Sequence, residues 1–288
     1  MEIRPMQPED VPLAERLSDD AFHAVAIRSR RDSDPPAERR SEARSANWIT
    51  RTEGFLTTDP EGCFVAYDAE GLAGFATSAR REDTLWFLCT FAVRPGLQGK
   101  GLGKRLLDAA TAYRADCPRW MLSASDDPRA LRRYRLAGFD LHPQLMLHGE
   151  VDRSLLVTVD GVRDGTAGDV DLLDAVDRTV RGAAHGRDHL ALAGTGSLVV
   201  DTDGRGYAYA SAGGPTLLAA LDPATATRLL WECLARTEGP AEVTHLTGAN
   251  QWALDVGLAA RLAIGTAGVL GVRGMAPPAP YLHNGALL

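Results

Sequence analysis

Apolar positions recur along the first half of the chain at two alternating periods. Residues 3–5 read as a short edge strand. Over 7–22, Val11, Leu13, Leu17 and Phe22 keep a helical spacing, and Pro8 and Pro12 suit a helix start. The polar stretch 31–43 predicts a surface loop running into a second helix around Trp48. Asp59-Pro60-Glu61-Gly62 marks a turn, after which 63–67 and 72–78 read as strands joined at Glu70-Gly71. The unbroken apolar run 85–93, LWFLCTFAV, predicts a strand buried on both faces. A glycine loop, a helix at 106–113, a strand at 120–123, a helix at 128–136 and a strand at 145–147 follow. Strands joined through helices imply a mixed α/β sheet.

The second half repeats this rhythm. Val170, Leu173, Val176 and Val180 give a helix over 169–180, and strands are expected at 197–201, 206–211 and 216–221. A helix at 224–235, a strand at 243–246, a helix at 252–262 and terminal strands near Val269 and Tyr281 complete the order. The match between halves predicts a tandem duplication, with domains at 1–150 and 151–288. Two unrelated α/β domains, or one continuous domain, are the alternatives.

A length of 288 residues accommodates one large domain or two ordinary ones. With 45% hydrophobic and 24% charged residues the balance is globular, which excludes disorder along the whole chain. The most apolar stretch, 256–272, is broken by Arg261 and glycines, so no membrane span is expected. The acidic N-terminus lacks an apolar signal segment, which points to the cytoplasm. The four cysteines form no CxxC pair; buried thiols, without a bound metal, are expected. Net charge is −7, and neither half carries the basic excess of a nucleic-acid binder. The Arg and Ala bias suggests a GC-rich genome. Only two of 31 basic residues are lysines, and both, Lys100 and Lys104, sit in one glycine-rich loop.

That loop is Phe91-Ala92-Val93-Arg-Pro-Gly-Leu-Gln98-Gly99-Lys100-Gly101-Leu102-Gly103-Lys104. It joins a buried strand to an amphipathic helix. Glycines let a backbone turn tightly and approach a ligand. A helix starting near Gly101 offers unpaired N–H groups and a positive dipole end, an arrangement suited to phosphates. The segment is neither a P-loop nor a dinucleotide-binding GxGxxG.

Gln98-x-x-Gly101-x-Gly103 after an apolar strand resembles the Q/R-x-x-G-x-G/A motif of the GNAT N-acetyltransferase superfamily. Asp127-Pro128-Arg-Ala130-Leu-Arg-Arg-Tyr134-Arg-Leu-Ala-Gly138-Phe139 is similar to that family's N-x-x-A-x-x-x-Y-x-x-x-G-F helix. The resemblance covers roughly residues 1–150. It implies acetyl-CoA as acetyl donor, its pyrophosphate on the loop amides of residues 98–104. The strand end Phe91, Ala92 and Val93 would then pair with the pantetheine arm, with a further contact at Asp127, where the family often has Asn. Tyr134, on its residues alone a packing tyrosine, takes from the resemblance the role of the acid that protonates the departing CoA thiolate. No Glu stands in 85–93 or 120–123, where relatives often place a general base. A water, Asp19, Asp20 or His23 is left for that role.

In the second half the corresponding loop, residues 222–228, contains no glycine, and the last helix has no tyrosine, so no second cofactor site is expected. Asp177-Arg178-x-x-Arg181-Gly182-x-x-His185-x-x-Asp188, followed later by Gly206-Tyr207-Ala208, is similar to the degenerate C-terminal domain of tandem bacterial GNAT proteins; its Arg and Asp residues read as a structural salt-bridge set in preference to a substrate site. The resemblance thus implies an N-acetyltransferase acting on the amine of a small molecule or peptide by direct attack, and it admits a homodimer. A non-catalytic acyl-CoA sensor and a tandem synthase like the mycothiol synthases are the alternatives.

Overall fold

The computed structural model describes residues 1–30 and 36–288, which separate into two units, Met1–Phe139 and Asp140–Leu288. Unit 1 contains β1 (Glu2–Pro5), α1 (Val11–Ser29), α2 (Glu42–Thr58), β2 (Cys63–Asp68), β3 (Gly71–Arg81), β4 (Leu85–Val93), α3 (Leu102–Ala112), β5 (Arg119–Ala124) and α4 (Pro128–Leu136). Within the unit β1, β2, β3 and β4 pair antiparallel in that order, and β5 joins β4 parallel. Of the loop expected at 31–43, residues 31–35 lie outside the described residues; 36–41 form neither helix nor strand, and Ser41 caps α2 through the amide of Arg44.

The unbroken apolar run of β4 is explained by cover on both sides. On one face Trp48 of α2 packs edge-on against Phe75 of β3, ring centroids 5.8 Å apart. On the other, a Cβ added at Gly74 would lie 2.9 Å from Leu106 of α3. Leu85, Trp86 and Phe87 of β4 are fully buried, and each such side chain contributes roughly 1.5–3 kcal/mol.

One irregularity in β4 shapes the site. Thr90 pairs with Thr77 and Leu88 with Ser78, which leaves Cys89 as an extra, bulged residue. The parallel register with β5 runs from Leu85↔Arg119 to Leu88↔Leu122. A bulge bends its strand and increases the local twist. Past it β4 continues to Val93, and among the described residues 89–93 keep no register with β5.

Unit 2 contains β6 (Asp140–Glu150), β7 (Val162–Asp164), α5 (Val170–Val180), α6 (Asp188–Ala193), β8 (Ser197–Asp201), β9 (Gly206–Ser211), β10 (Gly214–Ala220), α7 (Pro223–Ala235), β11 (Pro240–Leu246), α8 (Gln251–Ala259), β12 (Ala263–Arg273) and β13 (Tyr281–Leu282). β13, β10, β9, β8 and β7 form one antiparallel sheet in that order, while β6 pairs with both β11 and β12. A core of α7 and α8 side chains, among them Leu229, Leu230, Leu234 and Val256, packs with Leu218, Val243 and Leu246 from the strands. The expected division at 150 and the observed units differ by β6, whose register lies along β11 and β12. α6 was not anticipated, being too short to show a helical period. All four cysteines are buried and unpaired. Among the described residues no helix is long and apolar enough to cross a membrane.

Candidate active site

The strand–loop–helix segment forms as its glycines require. Gly99 and Gly101 adopt φ of +81° and +92°, and Gly101 is the N-cap of α3 without any side-chain cap. A Cβ on Gly101 would meet nothing within 4 Å, so the constraint there is backbone conformation and not space. Gly103 differs: its added Cβ would come within 3.3 Å of Phe91 and 3.7 Å of Val93. It lets α3 sit close on the strand end. With no capping side chain, the first amides of α3 keep their donors and the positive end of the dipole.

The neighbouring side chains divide the work. Leu102, Ala92 and Val93 are buried, so only their backbones can meet a ligand. Gln98 Nε2 donates to the Val93 carbonyl at 3.2 Å and ties the loop to the strand end. Lys104 pairs with Asp108 one turn along α3, whereas Lys100 is exposed beside the glycines.

Tyr134 is brought to the same place. Its ring is buried against Phe91 (centroids 6.4 Å) and Phe139 (6.2 Å), both edge-on. Phe91 therefore touches the α3 entry on one side and Tyr134 on the other. Burial, and then the Asp127 charge, push the phenol well above its usual range, so it stays protonated through neutral pH. Among the described residues its hydroxyl has no hydrogen-bond partner.

Asp127 is the N-cap of α4 and is fully engaged within the protein. It accepts from the Arg129 amide at 2.9 Å, and its carboxylate pairs with Arg129 Nη2 at 2.9 Å and Arg28 Nη2 at 2.8 Å. The Arg129 hydrogen bond is the main cause of its lowered pKa. Asp19 is held by the Arg40 amide and Arg39, and Asp20 by Arg39. His23 on α1 keeps a buried Nδ1 with no partner.

Two features escaped the sequence. Arg51 on α2 has a buried Nε without a partner, and one arginine among many carries no signal. In unit 2, the expected set of Asp177, Arg181, His185 and Tyr207 is joined by His189 and Tyr209. His185 Nδ1 lies 2.7 Å from Asp177 Oδ2, the Tyr207 hydroxyl donates to Asp177 Oδ1 at 2.6 Å, and Arg181 contacts His185 Nε2. Burial alone would raise the Asp177 carboxyl, but His185 and its neighbours hold it well below the usual range. One ligand atom each of Asp177, His185 and His189 lies within 4.8 Å of the others. A cation among them would break these hydrogen bonds and face the Arg181 guanidinium. The set is a buried polar network knitting α5 to β9.

In sequence, residues 24–139 match the acetyltransferase (GNAT) family. No curated protein matches the chain significantly. In fold the chain is similar to a candidate acetyltransferase from Pyrococcus horikoshii, with TM-score 0.75, 16% identity, and 99% of this chain and 94% of that one covered. It is also similar to a GCN5-related N-acetyltransferase from Sphaerobacter thermophilus (TM-score 0.58, 18% identity, 94% and 95% covered). A GCN5-related N-acetyltransferase from Kribbella flavida gives TM-score 0.55 at 13% identity, with 94% and 70% covered. At such identities the likeness is one of fold, and it runs through both units.

Proposed function

We propose, from the match of residues 24–139 to the acetyltransferase (GNAT) family, that the chain is an acetyl-CoA-dependent N-acetyltransferase acting on a primary amine. The observation that carries the reading is the position of Phe91. It packs against Tyr134 at 6.4 Å and would crowd a Cβ at Gly103, so the open strand end, the uncapped helix and the buried phenol share one place.

Acetyl-CoA supplies an acyl group activated as a thioester. The α3 amides at 101–103 and Lys100 hold its pyrophosphate, because an uncapped helix start leaves donors and positive potential for an anion. The backbone of 91–93, which β5 leaves free, pairs with the pantetheine arm and aims an amide at the thioester carbonyl. Binding both reactants in one site removes the entropic cost of a bimolecular encounter. The amine must arrive neutral. His23 Nδ1, with no partner of its own, or water, accepts its proton. As the new C–N bond forms and the C–S bond breaks, Tyr134 gives its proton to the sulfur, and a positioned acid of this kind contributes ~10²–10⁴-fold. The products are the acetylated amine and the CoA thiol. Unit 2, without a comparable loop, serves as a structural partner domain.

The test is thiol release from acetyl-CoA across a panel of polyamines, aminoglycosides, amino acids and peptide N-termini, with calorimetric binding of acetyl-CoA in parallel. Binding together with turnover of at least one amine supports the reading. Binding without turnover of any amine would leave an acyl-CoA sensor in its place.

A further inference from the structure

Arg51 lies one turn after Trp48 on α2, on the face of the sheet opposite the phosphate loop. Trp48 packs on Phe75 of β3, which pairs with Ala92 of β4, so α2 lies over β3 on the sheet face that bears Thr90 and Ala92, with α1 over β4 beside it. Gly74, Phe91 and Val93 face α3 instead. Arg51 is within electrostatic reach of Cys89, the bulged residue at which β4 leaves β5.

Three other arginines of α1 and the segment between α1 and α2 are ion-paired. Arg40 is held by Glu15 at 2.6 Å, Arg39 by Asp19 and Asp20, and Arg28 by Asp127. Arg51 has no ion pair among the described residues. Its Nε is enclosed without a partner, and a like charge, Arg40, opposes it. Burial draws the guanidinium down to about 10, still cationic at neutral pH. A half-buried guanidinium whose Nε is enclosed without a partner keeps donors that an anion arriving with a ligand can satisfy.

We propose that Arg51 binds a carboxylate of the acceptor, so that the substrate is a primary amine carrying a carboxylate on the same molecule, as in an amino acid. The proposal rests on the acetyltransfer reading above. The position suits the acceptor and not the donor's phosphates, which belong to the opposite face. One unmatched guanidinium balances one carboxylate. A phosphate dianion would call for a second cation, and Arg40 is already taken by Glu15.

Matched pairs of amines test it: β-alanine against ethylamine, γ-aminobutyrate against propylamine, phenylalanine against phenethylamine. Within at least one pair, kcat/KM for the carboxylated member should exceed its partner's by at least ~10-fold, the scale of a hydrogen-bonded charge. Arg51→Gln should bring that ratio toward one, and Arg51→Lys should retain part of it. A second arm needs no turnover. The thermal midpoint of the wild-type chain should rise in sodium acetate or propionate relative to sodium chloride at equal ionic strength, and that of Arg51→Gln should not. Turnover with no preference in any pair overturns the proposal and leaves acetyl transfer standing. No turnover, with carboxylate stabilisation that depends on Arg51, overturns acetyl transfer and leaves the anion site. No turnover and no such stabilisation overturns both. If Arg51→Gln does not fold, Arg51→Lys and the wild-type ratios decide.

Discussion

Helices α3 and α7 each follow a β-hairpin in their own unit, yet their N-termini are electrically opposite. α3 begins at Gly101 with no side-chain cap. α7 begins at Asp222, whose Oδ1 accepts the Thr225 amide at 2.9 Å and whose Oδ2 takes the Thr225 hydroxyl at 2.9 Å and Arg205 Nε at 3.0 Å. A helix start offers donors and a positive dipole end that favour an anion. In unit 2 the chain supplies that anion itself. In unit 1 glycine leaves the place for a ligand. The same topology thus gives one helix that can bind a phosphate and one that is closed, and the difference lies in a single capping residue and the loop before it.

The largest expected effect comes from making the two helices alike. Gly101→Asp puts a carboxylate where the pyrophosphate would bind, in a backbone conformation that L residues rarely adopt. Calorimetry should give one acetyl-CoA per wild-type chain and an affinity at least ~10²-fold weaker in the variant, which circular dichroism should show folded, since a new Cβ there meets no neighbour. Two sites per wild-type chain would break the contrast between the helices, and unchanged affinity in the variant would remove the pyrophosphate assignment.

Next in size is Tyr134→Phe. Phenylalanine preserves the packing on Phe91 and Phe139 and deletes only the hydroxyl. Turnover should fall ~10²–10⁴-fold where thiolate departure limits the rate, with acetyl-CoA affinity nearly unchanged. Equal loss in affinity and turnover would make Tyr134 a residue that shapes the pocket. Unchanged turnover at every pH would make it a packing residue only.

What the sequence disclosed follows the same line. Local patterns were legible: the apolar run of β4, the glycines before α3, the helical spacing around Tyr134. The meeting of Phe91, Gly103 and Tyr134 came from motif resemblance, since no period encodes which residues touch across a sheet. The bulge at Cys89 was invisible, because an extra residue in an unbroken apolar run leaves the pattern intact. Arg51 was invisible for another reason. Its distinction is the missing partner, and a missing partner is a property of the packed α1–α2 surface. β6 read as the last strand of the first domain, but its register is set by partners ninety or more residues further along, as in Pro240↔Glu150 and Val269↔Pro143.

The units should also part on acidification. His245 and His283 stack at 4.1 Å in unit 2, and burial pushes His245 down to about 4 and His283 well below its usual range. An unfolded histidine takes up its proton near 6.5, so the unfolded state binds more protons below that value. The contribution is complete above pH 6.5 and lost as pH falls toward 4, about 3 kcal/mol for His245 alone. Asp127 in unit 1, held low first by Arg129, loses its contribution only below the ordinary carboxylate range. Denaturant unfolding of the full chain should therefore weaken between pH 6.5 and 4. His245→Asn, which tolerates the φ of +65° there, should flatten part of that slope. An unchanged slope would assign the loss to other groups.

The smallest effect probes the closed helix. Asp222→Ala removes the acceptor for the Thr225 amide and the partner of Arg205. An N-cap carboxylate contributes ~1 kcal/mol, and the exposed pair with Arg205 adds little. The thermal midpoint should drop by roughly 2–4 °C, the shift expected of ~1 kcal/mol in a chain of this size. The same variant also asks what makes a phosphate site. Removing the internal anion frees the α7 donors but supplies neither the glycine turn nor a strand edge like 89–93, so acetyl-CoA should still bind once per chain. A second binding event in Asp222→Ala would mean that the cap alone kept unit 2 closed. A midpoint unchanged from wild type would mean that water caps α7 as well as Asp222 does, and the electrostatic contrast between the two helices would then rest on Gly101 and its loop.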